Sequence, residues 1–190
     1  MDTPVDNSKP NFEKLWATCH IDTNRVMDVK KVVAKLSVNK HIYDEIAFRC
    51  ACAWWVPAIL HYRESSRLEC NVYLHNGQRL GQTTTIVPTG IFFGEDQFIE
   101  AAEHALRSKK LNGIQDVPTF LPKAEGFNGF GYRKRIGDHG VVELSPYVWA
   151  ATNHSDETGK YVRDGLYDPK AHEKQLGVAA ILCGIFERYT

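Results

Sequence analysis

No long hydrophobic run occurs anywhere in this chain of 190 residues. The longest apolar stretch, Leu176 to Phe186, is interrupted by Cys183 and Gly184 and falls short of the ~20 residues that cross a bilayer, so no membrane span is expected. Met1 to Pro10 carries no basic segment followed by an apolar one; it reads as a flexible polar tail and not as a secretory signal, which leaves localisation open. An excess of either charge is missing too. Lys plus Arg and Asp plus Glu both total 23, so no global field draws a polyanion and nucleic acid is not an expected partner. Arg133, Lys134 and Arg135 form a local basic triplet that reads as a solvated turn.

Motifs for metals and cofactors are also missing. The five cysteines, Cys19, Cys50, Cys52, Cys70 and Cys183, are odd in number and irregularly spaced, with no Cys-x-x-Cys pair. Free buried thiols are expected, a disulfide stays open, and a zinc site on Cys50 and Cys52 is disfavoured. No His-x-x-x-His or His-Glu-x-x-His spacing supports a metal held by His75, His154, Asp156 or Asp168. With no Gly-x-x-x-x-Gly-Lys loop and no strand before the glycines of Gly126 to Gly131, nucleotide cofactors are not implied; no metal and no cofactor is expected.

What is present is a helical pattern. A hydrophobic share of 43% over this length supports one domain over 11–190 after the 1–10 tail. Phe12 to Leu36 spaces its apolar residues by three and four, as two helices with Asp22, Thr23 and Asn24 as caps between them; Asn39 caps a third from Lys40 through Cys50. Trp54 to Ser66 predicts a helix apolar nearly all round at its start, with Pro57 in its first turn, and therefore central. From Arg67 to Glu95 the periodicity fails, and Asn76-Gly77, Gly81, Pro88, Gly90 and Gly94 predict loops with a short β-hairpin covering a cleft. A helix capped by Glu95 or Asp96 ends near Lys110, another runs from Pro118 to Gly126, and a last one from Pro169 to Tyr189, with a loop over Thr152 to Asp168. The class is mainly α: a helical bundle around an apolar central helix with a small β-hairpin region.

The sharpest chemical feature is Glu64-Ser65-Ser66 at the end of the apolar helix. A carboxyl held against apolar walls keeps its proton more readily than in water and can serve as a general acid. Glycosidic cleavage needs such a donor, because the leaving oxygen must be protonated as positive charge builds on the sugar ring. The plainer alternative is an exposed terminal glutamate paired with Arg63 or Arg67.

The order of these pieces resembles the lysozyme superfamily in its goose-type lysozyme and lytic transglycosylase branch. There an apolar helix ends in Glu-Ser, a loop or β-rich segment follows, and a later helix carries an Ala-Tyr-Asn-like motif; the counterparts here are Glu64-Ser65 and Gly126-Phe127-Asn128. More closely, the chain is similar to a bacterial and phage group of lysozyme-like proteins, through Arg63-Glu64-Ser65-Ser66, Tyr73-Leu74-His75-Asn76-Gly77, Phe127 to Arg133, Ser145 to Trp149 and Gly159 to Val162, taken in order over Trp54 to Leu182. The resemblance implies an α+β lysozyme-like fold and a cell-wall hydrolase of endolysin kind. It further implies action on peptidoglycan glycan strands between N-acetylmuramic acid and N-acetylglucosamine with Glu64 as general acid, and a monomer is expected.

Glu125, just before Phe127-Asn128, is the first candidate for a second carboxylate, with Glu69 and Asp96 behind it. A base beyond ~6.5 Å would direct water attack with inversion; without one, the muramyl hydroxyl attacks and leaves an anhydro end. Ser65, Tyr73, His75, Asn76, Asn128, Tyr132 and Tyr147 are the candidate sugar-binding residues, aromatic faces stacking on pyranose rings and amides fixing acetamido groups. Trp149 reads equally as core. Phe127 stands where many relatives carry tyrosine, and no Gly-Leu-Met-Gln segment follows Glu64, which motivates a rival reading: a non-catalytic wall-binding module of a phage particle or secretion assembly.

Overall fold

The computed structural model describes residues 10–65, 67–134, 143–155, 159–163 and 165–189. The tail up to residue 9, Ser66, Arg135 and Asp156 lie outside the described residues. Eight α-helices follow in chain order among those described: α1 (Phe12–Ala17), α2 (Val26–Val38), α3 (Lys40–Cys50), α4 (Trp55–Glu64), α5 (Phe98–Ser108), α6 (Val117–Asn128), α7 (Pro146–Trp149) and α8 (Val178–Ile185). One antiparallel pair, β1 (Lys160–Arg163) and β2 (Leu166–Asp168), completes a mainly α fold with a small β-hairpin. No helix among the described residues is long and apolar enough to cross a membrane. The chain forms two compact units, Lys31–Phe120 and Met1–Lys30 with Leu121–Thr190.

In the Lys31–Phe120 unit, α3 packs against α4 and α5. Helix α4 is buried from Trp55 through Tyr62, as its all-round apolarity requires, and Pro57 lies in its first turn, where its missing donor goes unused. Trp55 meets Phe120 at 5.3 Å between ring centroids, and Ile59 and Leu60 are fully enclosed. Each such side chain contributes roughly 1.5–3 kcal/mol of burial free energy. Asn39 occupies the cap position of α3, but its side chain makes no cap bond; its amide donates instead to the Leu68 carbonyl at 3.2 Å, bracing the turn that follows α4. Helix α5 begins after Gln97, not at Glu95 or Asp96, and Gln97 Oε1 accepts from the Gly94 amide at 2.7 Å. Asp116 caps α6 by accepting from Thr119 N at 2.8 Å, with Pro118 in the first turn.

In the other unit, α7 packs against α8. Phe12 stacks on Trp149 at 6.0 Å, and His154 Nε2 donates to the Leu15 carbonyl at 2.9 Å. That bond gives His154 a structural task. The last helix starts at Val178, nine residues later than the sequence suggests. Residues 169–175 have no apolar stripe, and Gly177 lies so close to the chain at 148–150 that a Cβ there would stand 2.6 Å from Val148 O. The β-hairpin also differs in place. Within 67–95 pairing shrinks to one bridge, Val72 with Arg79, whereas the ladder forms in the segment read as loop, with Lys160 opposite Asp168 and Tyr161 opposite Tyr167.

All five cysteines are free, and the Cys19 and Cys183 sulfurs approach to 3.6 Å. Burial pushes the Cys52 thiol up to about 12 and raises Cys50 and Cys70 as well. Cys70 alone is only half-buried. Because the thiolate is the reactive form, a thiol alkylating agent at neutral pH is expected to modify Cys70 first and Cys50 and Cys52 only after denaturation. Peptide mass mapping over time checks the order, and early labelling of Cys52 would contradict it.

Candidate active site

Glu64 is the last residue of α4 and is half-buried, so the helix delivers its carboxylate to the edge of the Lys31–Phe120 core. The chain then leaves the helix through Ser65, whose amide donates to the His61 carbonyl at 2.8 Å. It returns at the Asn76-Gly77 turn. Gly77 N donates to Tyr73 O at 2.8 Å, and Gly77 adopts φ +72°. A Cβ at this position would stand 3.0 Å from Glu64 O and 3.9 Å from its Oε2. Glycine is therefore required twice, by its backbone conformation and by the approach of the turn to the glutamate. Asn76 holds the same turn: its Oδ1 accepts from Gln78 N at 3.1 Å and its amide donates to Ile86 O at 3.1 Å.

One turn before Glu64, His61 is fully buried. Its Nε2 lies 3.0 Å from Glu69 O, a carbonyl that only accepts, so Nε2 carries the proton and Nδ1 accepts from the Tyr43 hydroxyl, also at 3.0 Å. This relay, with Asn39 on Leu68 O, ties the 65–70 turn to α3 and α4 and so fixes how the chain leaves Glu64. Burial is the main cause that lowers the His61 pKa to about 4, from the 6.5 of an ordinary histidine. Folded protein thus binds fewer protons here than unfolded chain between those values, and the stability this neutral ring provides is complete above pH 6.5 and is lost as pH falls towards 4. The full loss amounts to roughly 3 kcal/mol. In urea unfolding at pH 7 and pH 4, the wild type is expected to lose that much more than His61→Gln; equal losses would show that the buried ring is not responsible.

The Leu121–Thr190 part of the other unit carries the remaining candidates. Glu125 of α6 is 1% exposed, and its Oε2 accepts from Arg133 Nη2 at 2.6 Å and Nε at 3.0 Å. Arg133 also lies 4.3 Å from the Phe130 ring centroid. A buried carboxylate held by two charge-assisted bonds is engaged as an ion pair, and this is where the structure places the expected second carboxylate. Of the alternatives, Glu69 is exposed with Oε2 accepting from Asn71, and Asp96 is exposed in the turn before α5. Helix α6 runs two residues further than expected, to Asn128, and Gly129 at φ +90° ends it. Asn128 is exposed, and lines a cavity of about 590 Å³ together with Tyr132, Tyr161 and Arg163.

Within their units, Glu64, Ser65, His75 and Asn76 gather around one turn, and Asn128 and Tyr132 line one cavity. Three aromatic candidates are buried. Tyr73 is enclosed with His75, Phe93 and His104 and hydrogen-bonds His104 Nδ1 at 2.7 Å. Tyr132 is buried, its hydroxyl accepting from Tyr161 N at 3.1 Å, and Tyr147 is buried in α7. Tyr73 and Tyr147 are packed in cores, while Tyr132, 5% exposed, borders the cavity of about 590 Å³; Trp149, 1% exposed, is core as well. His75 is half-buried, with its pKa lowered by burial and by Lys109. A smaller cavity of about 290 Å³, lined by Asp22, Arg25, His172 and Glu173 among others, holds none of the candidates. No cluster of three or more His, Cys, Asp or Glu suited to a metal occurs among the described residues. Sequence reasoning passed over His61, Gly77 and Arg163. The spacing of His61, three residues before Glu64 on the same helix, was the available signal for the first.

Compared with known proteins, the chain matches no family model, no curated protein and no solved structure.

Proposed function

We propose that this protein cleaves peptidoglycan glycan strands between N-acetylmuramic acid and N-acetylglucosamine, with Glu64 as the proton donor. The observation that carries the reading is the placement of Glu64: half-buried at the end of a helix buried up to Tyr62, with glycine alone kept beside it at position 77. The ordered resemblance to lysozyme-like proteins supplies the substrate class, as analogy.

The engagement of Glu125 with Arg133 favours the transglycosylase route over water attack directed by Glu125. In that route the Glu64 carboxyl protonates the leaving oxygen and the glycosidic bond breaks. The muramyl residue's own hydroxyl then bonds to its anomeric carbon and returns its proton to the Glu64 carboxylate, so that no water is consumed. Digestion of purified peptidoglycan with mass analysis of the soluble fragments tests this. Anhydro-muramyl ends are expected; reducing muramyl ends would favour hydrolysis; binding to sacculi with no fragments released would replace cleavage by a wall-binding module.

A further inference from the structure

In the unit that does not hold Glu64, two buried sulfurs face each other without a bond. Cys19 follows α1 and is 2% exposed; Cys183 lies in α8 and is fully enclosed. Their sulfurs stand 3.6 Å apart across 164 positions of sequence, and the Cys183 sulfur lies 3.7 Å from the Cys19 carbonyl oxygen.

The neighbours hold both partners in place. Asn153 grips the segment around Cys19: its Oδ1 accepts from His20 N at 2.9 Å, its amide donates to Thr18 O at 3.1 Å, and its backbone N–H donates to His20 O at 3.1 Å. From just beyond α8, Arg188 donates to Trp16 O at 3.0 Å and to Ala17 O at 3.1 Å, with its guanidinium 4.5 Å from the Trp16 ring centroid. The approach of the sulfurs is therefore set by bonds between the two segments and not by loose side chains.

The two thiols differ in character. When Cys183 ionises, the Cys19 thiol donates to it; that bond, with the field of Arg188, outweighs burial and lowers the Cys183 pKa below that of an ordinary cysteine. The same bond, with burial, raises that of Cys19. One sulfur is the nucleophile and the other keeps its proton. Cys50, Cys52 and Cys70, by contrast, are all raised by burial.

We infer that Cys19 and Cys183 are a redox-active pair that a peroxide converts into a disulfide, fastening the segment after α1 to α8. The Cys183 thiolate attacks one peroxide oxygen, the O–O bond breaks, and hydroxide leaves as Cys183 becomes a sulfenic acid. The Cys19 sulfur then bonds to the Cys183 sulfur, and its proton leaves with the sulfenic hydroxyl as water. Both sulfurs are enclosed, which admits an oxidant hardly larger than water and shuts out bulky ones. The bond closes a loop spanning 164 positions, and a cross-link over so long a loop strongly constrains the unfolded chain.

The test treats the folded full chain with hydrogen peroxide and reads the products by non-reducing peptide mass mapping, with the half-buried Cys70 as internal reference. A linked Cys19–Cys183 peptide that a reductant separates is expected, together with a melting temperature raised by on the order of 10 °C. In Cys19→Ala, Cys183 is expected to gain oxygen instead of a cross-link, whereas in Cys183→Ala, Cys19 stays a thiol. The wild-type map decides even where a variant fails to fold. Oxidation of Cys70 while the pair remains thiols, or a linked peptide that forms only in denaturant, overturns the inference.

Discussion

Glu64→Gln is expected to release no measurable fragments from purified peptidoglycan while unfolding at nearly the wild-type temperature. The amide keeps the size and the hydrogen-bonding capacity of the carboxyl but has no acidic proton to give to the leaving oxygen. Loss of a positioned general acid lowers rates by about 10²–10⁴, equivalent to roughly 3–5 kcal/mol of transition-state stabilisation. Stability is spared because Glu64 is half-buried at a helix terminus and not enclosed like Ile59 or Leu60. Binding to sacculi should persist, since the substitution removes no bulk. Fragment release by Glu64→Gln at more than a tenth of the wild-type rate would remove Glu64 from the chemistry.

The largest effect on stability is expected at the Glu125–Arg133 pair, and it is asymmetric. Arg133→Ala strands a carboxylate that is 1% exposed and has lost both charge-assisted bonds, a change that costs about 3–5 kcal/mol. For a chain of this length that lowers the melting temperature by on the order of 10 °C. Glu125→Gln costs less, about 1–3 kcal/mol, because Arg133 keeps 21% side-chain exposure and its place over Phe130, and the amide oxygen still accepts. Thermal denaturation of the two variants gives the comparison. Fragment release by Glu125→Gln below its melting point separates structure from catalysis: cleavage close to wild type is expected, and a collapse of turnover in a folded variant would restore Glu125 as a catalytic group.

The middle of the chain was the most legible. Lys40 through Cys50 appears in the structure with the boundaries read from its spacing, and the apolar run ending at Glu64 is the buried α4. The ends of the later elements were not. Phe127 and Asn128 prolong α6 because Gly129, not Gly126, takes the positive φ that stops the helix. The hairpin of 160–168 carried a signal that was passed over, an Asp-Gly dipeptide between Lys-Tyr-Val-Arg and Leu-Tyr-Asp. The Asn-Gly of 76–77 drew attention instead, and there the chain makes a turn against Glu64 with one bridge behind it.

By itself the sequence determined the helical class, the buried character of α4 and the position of Glu64 at its end, because apolar periodicity and helix length are local and repeat every few residues. Tertiary structure alone decided what each polar or aromatic group is used for. Tyr43 meets His61 across eighteen positions, Tyr73 meets His104 across thirty-one, and Tyr132 meets Tyr161 across twenty-nine. Such pairings bury Tyr73 and Tyr132, while Asn128 and Arg163 stay exposed. The physical reason is that burial and hydrogen-bond satisfaction depend on the whole set of neighbours a fold assembles, and no periodicity along the chain records who those neighbours will be.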